Sequence, residues 1–295
     1  MFYPNQEIAP FDVNGWIKDP TRVTNIMRAL TKDKSLADYA FTTGPANNGA
    51  VIYDEILGVS DITGAIAGRD VAEIADGAEF PQVSSQMTTP KSDVVKRWGG
   101  SDSITRAALI RGNEDQLRSK IIRIGNLVTN TVDRVALAAI NAAPVVSSVL
   151  EPWAPGKDVV GDLFGSFALV EDAGMGYAID TAMIHPQDAQ KYFLGRKDVR
   201  EQFPKENTGL NPVLSRSLSG LGDVNWVKST AVPRGTIYAL QREVSGSIRD
   251  EEGGLQTNQY FENENHTWVV QAWRSIVPII TDPKSIVKIT GFATA

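Results

Sequence analysis

The 295-residue chain has no cysteine and only two histidines, His185 and His266. Without cysteine, disulfides, thiolate nucleophiles and thiolate zinc sites are all excluded together. With two distant histidines there is no HxxxH spacing and no third ligand, so a histidine metal site has no support. A lone histidine beside a strand end is more often structural than a general base. No run approaches 18 consecutive apolar residues, so no membrane-spanning helix is expected. The opening MFYPNQEIAPFDVNGW has no basic stretch followed by an apolar one, which argues against secretion. The formal net charge of −6 disfavours a dedicated nucleic-acid reader, because phosphate contacts need a basic surface. Hydrophobic residues at 42% and charged residues at 22% are ordinary for a globular protein, and the length suffices for one large or two modest domains.

Catalytic signatures also fail. Gly156–Lys157 suggests a phosphate loop, but Glu151 stands where its first glycine belongs and Asp158 where Ser or Thr is required, so a turn is expected. Gly174 and Gly176 lack the third glycine of a dinucleotide fingerprint and precede a strand. There is no G-x-S-x-G elbow. Asp250, Glu251 and Glu252 before Gly253–Gly254 read as a solvated turn, with a divalent-cation site the lesser alternative. No catalytic, cofactor or metal residue is therefore assigned.

What the chain does have is one long amphipathic segment, 113–143. Leu117, Ile121, Ile124, Val128, Val132, Val135 and Ala139 recur every three or four positions, on one face of a helix. Asn113 suits the cap and Gln116 its reciprocal partner, while Glu114 and Asp115 suit the positive end of the dipole. Such a helix is roughly 45 Å long. By itself it fits either the core of a large enzyme or a rod that reaches across neighbours.

Around it, residues 1–45 read as a weakly structured arm punctuated by Pro4, Pro10, Pro20 and Pro45, with a short helix near 20–32. GAVIYDEI and RDVAEIA read as strands. Residues 75–110 read as a two-stranded excursion punctuated by Gly77, Pro81, Pro90, Gly99 and Gly100, in which SDVVKRWG and DSITRAAL have strand composition. A bare hairpin is marginally stable, so this one is expected to lie on something else. VVSSVLEPWAPGKD reads as a turn-rich connection, followed by alternating elements over 158–264 and a long loop at 195–222. DVVGDLFGSFALVEDAG is a helix closed by Gly174, PQDAQKYFLGR a helix opened by Pro186, and YAIDTAMIH, GTIYALQ and SGSIRDEE are strands. His266–Trp273 and KSIVKITGF close the chain as strands.

In its order of parts the chain resembles the tailed-bacteriophage major capsid proteins of the Hong Kong 97 type. ADGAEFPQV, then VVKRWGGSDSITRAAL and the long helix, resemble that family's extended loop running into its spine helix. DLFGSFALVEDAGMGYAIDTAMIHPQDAQKYFLGR and VKSTAVPRGTIYALQ resemble parts of its axial domain, and WVVQAWRSIVPIITDPKSIVKITGF its terminal strands. The resemblance implies an α+β fold with an N-terminal arm at 1–45, linking strands at 46–66 and an extended β-hairpin loop at 67–103. It places the peripheral domain with its spine helix at 104–146 and 266–295, and the axial domain at 147–265. It implies a structural, non-enzymatic protein without cofactor that self-assembles into hexamers and pentamers of an icosahedral virion shell, built in the host bacterial cytoplasm. An acidic subunit can enclose double-stranded DNA without gripping it, so no sequence-specific binding and no membrane is implied. Expected partners are a portal, a decoration protein and a separate scaffolding protein, since the chain has no room for a scaffolding extension. Phe80, Lys91, Lys96, Arg97 and Trp98, on the loop, are the expected inter-subunit contacts. Some relatives cross-link lysine to asparagine, but no asparagine or activating acid is identifiable here. The alternatives are an encapsulin-type nanocompartment, which shares the fold, and a hydrolase using Asp or Glu.

Overall fold

The computed structural model describes residues 35–46, 49–56, 76, 90–110, 114–172, 175–196, 199 and 224–293. The expected arm helix near 20–32, the RDVAEIA strand, Phe80, Asn113, Gly174 and nearly all of the 195–222 loop lie outside them. In chain order the elements are α1 (Leu36–Ala40), β1 (Thr42–Pro45), β2 (Ala50–Tyr53), β3 (Lys91–Val94), β4 (Lys96–Thr105), α2 (Arg106–Ile110) and α3 (Glu114–Ala142). Then come β5 (Val146–Val149), α4 (Val159–Glu171), β6 (Thr181–Ile184) and an α-turn, Pro186–Asp188, that widens into a π-helical turn, Ala189–Leu194. The chain continues through β7 (Asn225–Lys228), β8 (Thr236–Leu240), β9 (Gly246–Asp250), β10 (Gln256–Glu262), β11 (Thr267–Ile280) and β12 (Ile286–Thr290).

The long helix is present as α3, with 29 residues. Ile121, Ile124, Val128 and Val132 are buried on it as the spacing predicts. Further along, the buried positions are Ala136, Leu137 and Ile140, while Val135 and Ala139 lie at the edge of the seam. A 3.6-residue helix drifts from a strict seven-residue pattern, which accounts for this shift. The seam packs on β4 and β11. β11 is the axis of the first sheet: it pairs antiparallel with β10 through 267–273, with β9 through 276–280 and with β4 through 267–276. Its 14 residues span about 46 Å, close to the length of α3.

The second sheet has the order β5-β12-β8-β6-β7. Alternate residues face two cores. Met183, Tyr238, Leu240 and Ile286 join the α3 core; Ala182, Ile184, Ile237, Ala239, Val287 and Ile289 join a second one beneath α4. Burial on both faces explains why TAMI and TIYAL read as unbroken apolar runs. The second core centres on Trp153, whose ring lies 4.5 Å from Phe292, 5.6 Å from Tyr192 and 5.9 Å from Phe193.

Several expectations are corrected. The last residues of the supposed arm are built into the body: β1 pairs parallel with β9, and α1 docks on α3. Gly99–Gly100 does not break the strand, because β4 runs through it; a Cβ on Gly99 would lie 2.6 Å from the Trp273 Cβ and 2.7 Å from the Ala272 carbonyl oxygen. Part of the VVSSVL connection is strand β5. Gly246–Asp250 and Gln256–Glu262 belong to the first sheet, whereas Ile286–Thr290 belongs to the second. Asp250 is not in a solvated turn but buried, accepting from Arg274 Nε and Nη2 at 2.9 and 2.6 Å. Arg274 also donates to both oxygens of Asp38, at 2.9 and 2.7 Å, which ties α1 to β9 and β11.

A second tie on α1 is Asp133, buried in the middle of α3. It accepts from Ser35 Oγ at 3.2 Å and from the Ala37 N–H at 3.0 Å, while Ser35 caps α1 through the Asp38 N–H. Burial pushes the Asp133 carboxyl up to about 6, against the pull of these hydrogen bonds. The folded protein therefore holds this proton more tightly than the unfolded chain. The group's contribution to stability is full below about pH 4 and is lost as pH rises through about 6. In Asp133→Asn this dependence disappears: between pH 4 and pH 7 the wild type loses about 2–3 kcal/mol relative to the variant in urea unfolding. Identical pH profiles for the two proteins contradict the assignment.

Candidate assembly surfaces

Among the described residues, no group of three or more His, Asp or Glu side chains is placed to hold a metal. His185 caps the Pro186 turn, its Nδ1 accepting from the Gln187 N–H at 3.2 Å. His266 sits at positive φ in the β10–β11 turn. Gly156–Lys157 is the expected turn, with Lys157 paired to Glu151. What the molecule does offer is surface.

The ribbon of β2 and β3 is the clearest case. Ala50, Ile52, Ser92 and Val94 share one face, since residues directly opposite in an antiparallel pair point the same way. Ile52 is 75% exposed and Val94 65%. The other face carries polar groups paired within the chain: Tyr53 donates to Asp93 at 2.9 Å, and Lys91 reaches Glu55 at 2.6 Å, where the carboxylate is only 5% exposed. The ribbon's partner strand therefore precedes the 57–89 segment, and the expected pairing within 67–103 is not what the described residues form.

Of the five expected contact residues, the structure brings Lys96, Arg97 and Trp98 together on β4. That strand is in the first sheet, not on the ribbon. Lys96 is exposed. Arg97 pairs with Glu252 at 2.7 Å, donates to Ser275 Oγ at 3.2 Å and lies 5.6 Å over the Trp273 ring. Trp98 is half-buried against the α3 core. Lys91 lies on the ribbon, engaged by Glu55. The reason is local: a single residue, Val95, separates β3 from β4, and at that point the chain changes partner from β2 to β11.

Sequence reasoning found α4 but missed its outer face. Its core side is Val159, Leu163, Phe167 and Val170, as the spacing predicts. Its other side carries Phe164, 41% exposed, and Leu169, 48% exposed, beside Gly161 and Gly165, with no charge between them. The signal was present: VVGDLFGSFALV has Asp162 as its only charge and apolar residues on both its inner and outer sides, and a helix of that kind is normally covered on both faces.

The described residues form an α+β body of one long helix, two five-stranded sheets and a two-stranded ribbon, with apolar faces left open. Among solved structures, the virus-like particle of Pyrococcus furiosus matches 91% of this chain and 98% of its own at a TM-score of 0.63 and 11% identity. A structure from Microbacterium phage Oxtober96 matches with 87% and 90% coverage, TM-score 0.60 and 13% identity. The holo-SrpI encapsulin complex of Synechococcus elongatus matches with 97% coverage of both chains, TM-score 0.57 and 13% identity. The fold is therefore the Hong Kong 97-type capsid fold that the sequence resembles. Comparison with curated protein sequences finds no match. Residues 88–289 match the model of the phage capsid protein family, and the chain belongs to that family.

Placement of these residues separates two kinds of variant. Ile52→Asp, on the open face of the ribbon, leaves subunit stability within about 0.5 kcal/mol but abolishes particle formation. Trp98→Ala instead destabilises the subunit itself by about 2–3 kcal/mol, through lost packing against α3. Urea unfolding and particle yield read both; an Ile52→Asp protein that assembles normally contradicts the ribbon's role.

Proposed function

We propose that the chain is the major shell subunit of a tailed double-stranded DNA bacteriophage, assembling with its own copies into the hexamers and pentamers of an icosahedral head. The observation that carries this is the family match over 88–289. The open faces of the β2–β3 ribbon and α4 support it, as surfaces that copies of the chain cover. Burial of each large apolar side chain there contributes on the order of 1.5–3 kcal/mol, and many such contacts per subunit add through multivalency. In this reading α3 with the first sheet is the peripheral domain and the second sheet with α4 the axial domain. The role is structural rather than enzymatic. Assembly takes place in the host cytoplasm with a separate scaffolding protein, and the finished head carries a portal and a decoration protein.

A second reading, an encapsulin-type compartment, is favoured by the full-length match to the SrpI encapsulin. The fold is common to both, so the content of the particle decides. Electron microscopy of the purified protein shows closed shells of regular diameter, and particles from a lysate hold nuclease-protected double-stranded DNA. Shells filled with a cargo protein instead move the chain to the compartment class. A protein that stays monomeric under all conditions contradicts both.

A further inference from the structure

The described part of α3 after Asp115 has a single acidic residue, and that one, Asp133, is buried. The helix's own exposed charges are therefore all positive, of which Lys120 is paired with Asp102 of β4 at 2.9 Å. Arg123 and Arg134 are eleven residues apart, which is close to three full turns, so they share a face about 16 Å apart along the axis. At its Arg134 end this face opens into a groove of about 380 Å³ between α3 and the β7–β8 connection. Arg134, Asn141, His185, Thr230 and Arg234 line it. Lys288 joins at its edge, donating to Asn141 Oδ1 at 2.7 Å.

Neither Arg134 nor Arg234 has an ion-pair partner among the described residues. The neighbouring carboxylate, Asp188, is buried and accepts from the Gly235 N–H at 2.7 Å. In His185 the Nδ1 acts as acceptor, which leaves Nε2–H as a donor. In a chain of net charge −6, concentrating unpaired cations and neutral donors in one concave place is not explained by solubility.

We infer that the groove between α3 and the β7–β8 connection holds backbone phosphates of nucleic acid, so that this face of the subunit lines the interior of the shell. The inference rests on the shell reading, which puts a polyanion against every copy at high local concentration. Arginine matches phosphate through its planar fork, and asparagine and threonine add neutral donors; among the described residues of the groove no base-reading element is present, so contact is independent of sequence. Two or three phosphates per copy give weak binding with a shallow salt dependence.

The test is fluorescence anisotropy of a labelled 30-base-pair duplex with the full-length unassembled protein, from about 20 to 200 mM salt. The wild type binds, and Arg134→Gln/Arg234→Gln reduces the log–log salt slope by about 2. Lys157→Gln, which does not line the groove, binds as the wild type does, and Arg134→Lys/Arg234→Lys retains binding. Unchanged binding in the glutamine variant overturns the inference. Tighter binding of a poly-glutamate peptide of equal charge also overturns it, in favour of an acidic protein segment. Microscopy of the same proteins keeps the two claims apart: shells without groove-dependent DNA binding sink only this inference, whereas absence of shells sinks the shell reading as well.

Discussion

The apolar seam of α3 against β11 and β4 is the contact on which the remainder of the molecule is hung. A helix of 29 residues alone in water would fray, since most helical stability in proteins comes from packing one face. Here that face meets a strand of nearly equal length, so neither element has an unsupported half. Ile140 and Leu137 carry the seam on to Tyr238 and Ile286, and this joins the second sheet to the same core. The Asn141 side chain marks the junction, donating to the Tyr238 hydroxyl at 2.8 Å and accepting from Lys288.

With the body fixed in this way, the segment before β1 is held by apolar burial of Leu36, Ala37, Ala40 and Phe41 in the α3 core and, beside it, by electrostatics. Asp250 and Arg274 are buried and the half-buried Asp38 joins them, a cluster of two negative groups and one positive. Its carboxylates hold the Arg274 proton more firmly than usual, and breaking one partner would strand a buried charge. Asp133 adds a further carboxylate to the same docking site, and its burial, with a smaller push from Asp38, is why its proton is retained to higher pH. The start of the described chain is thus pinned to both α3 and β11.

Local periodicity made much of this legible. The core side of α3, the buried side of α4, and strands β6, β8, β11 and β12 follow from spacing and composition alone. Partner choice did not, because pairing is a long-range property. Nothing in KSDVVKRWGG says that Lys91–Val94 will meet Ala50–Tyr53 while Lys96–Thr105 meets β11. Asp250 illustrates the same limit: three acids before two glycines look solvated until Arg274 arrives from another strand. For this reason Lys96, Arg97 and Trp98 lie on β4 rather than on the ribbon, and Arg97 and Trp98 have partners within their own chain. The basic groove was invisible in sequence because Arg134 and Arg234 are a hundred residues apart.

The central claim is a rigid frame whose ribbon and outer helix face are completed only by neighbouring copies. Hydrogen exchange of free subunits and of assembled particles, measured peptide by peptide, tests it most directly. The account predicts slow exchange in α3 and β11 in both states, with protection of 50–53, 91–94 and the α4 segment gained only on assembly. Equal protection of the ribbon in the free subunit, or fast exchange along α3 before assembly, would contradict it.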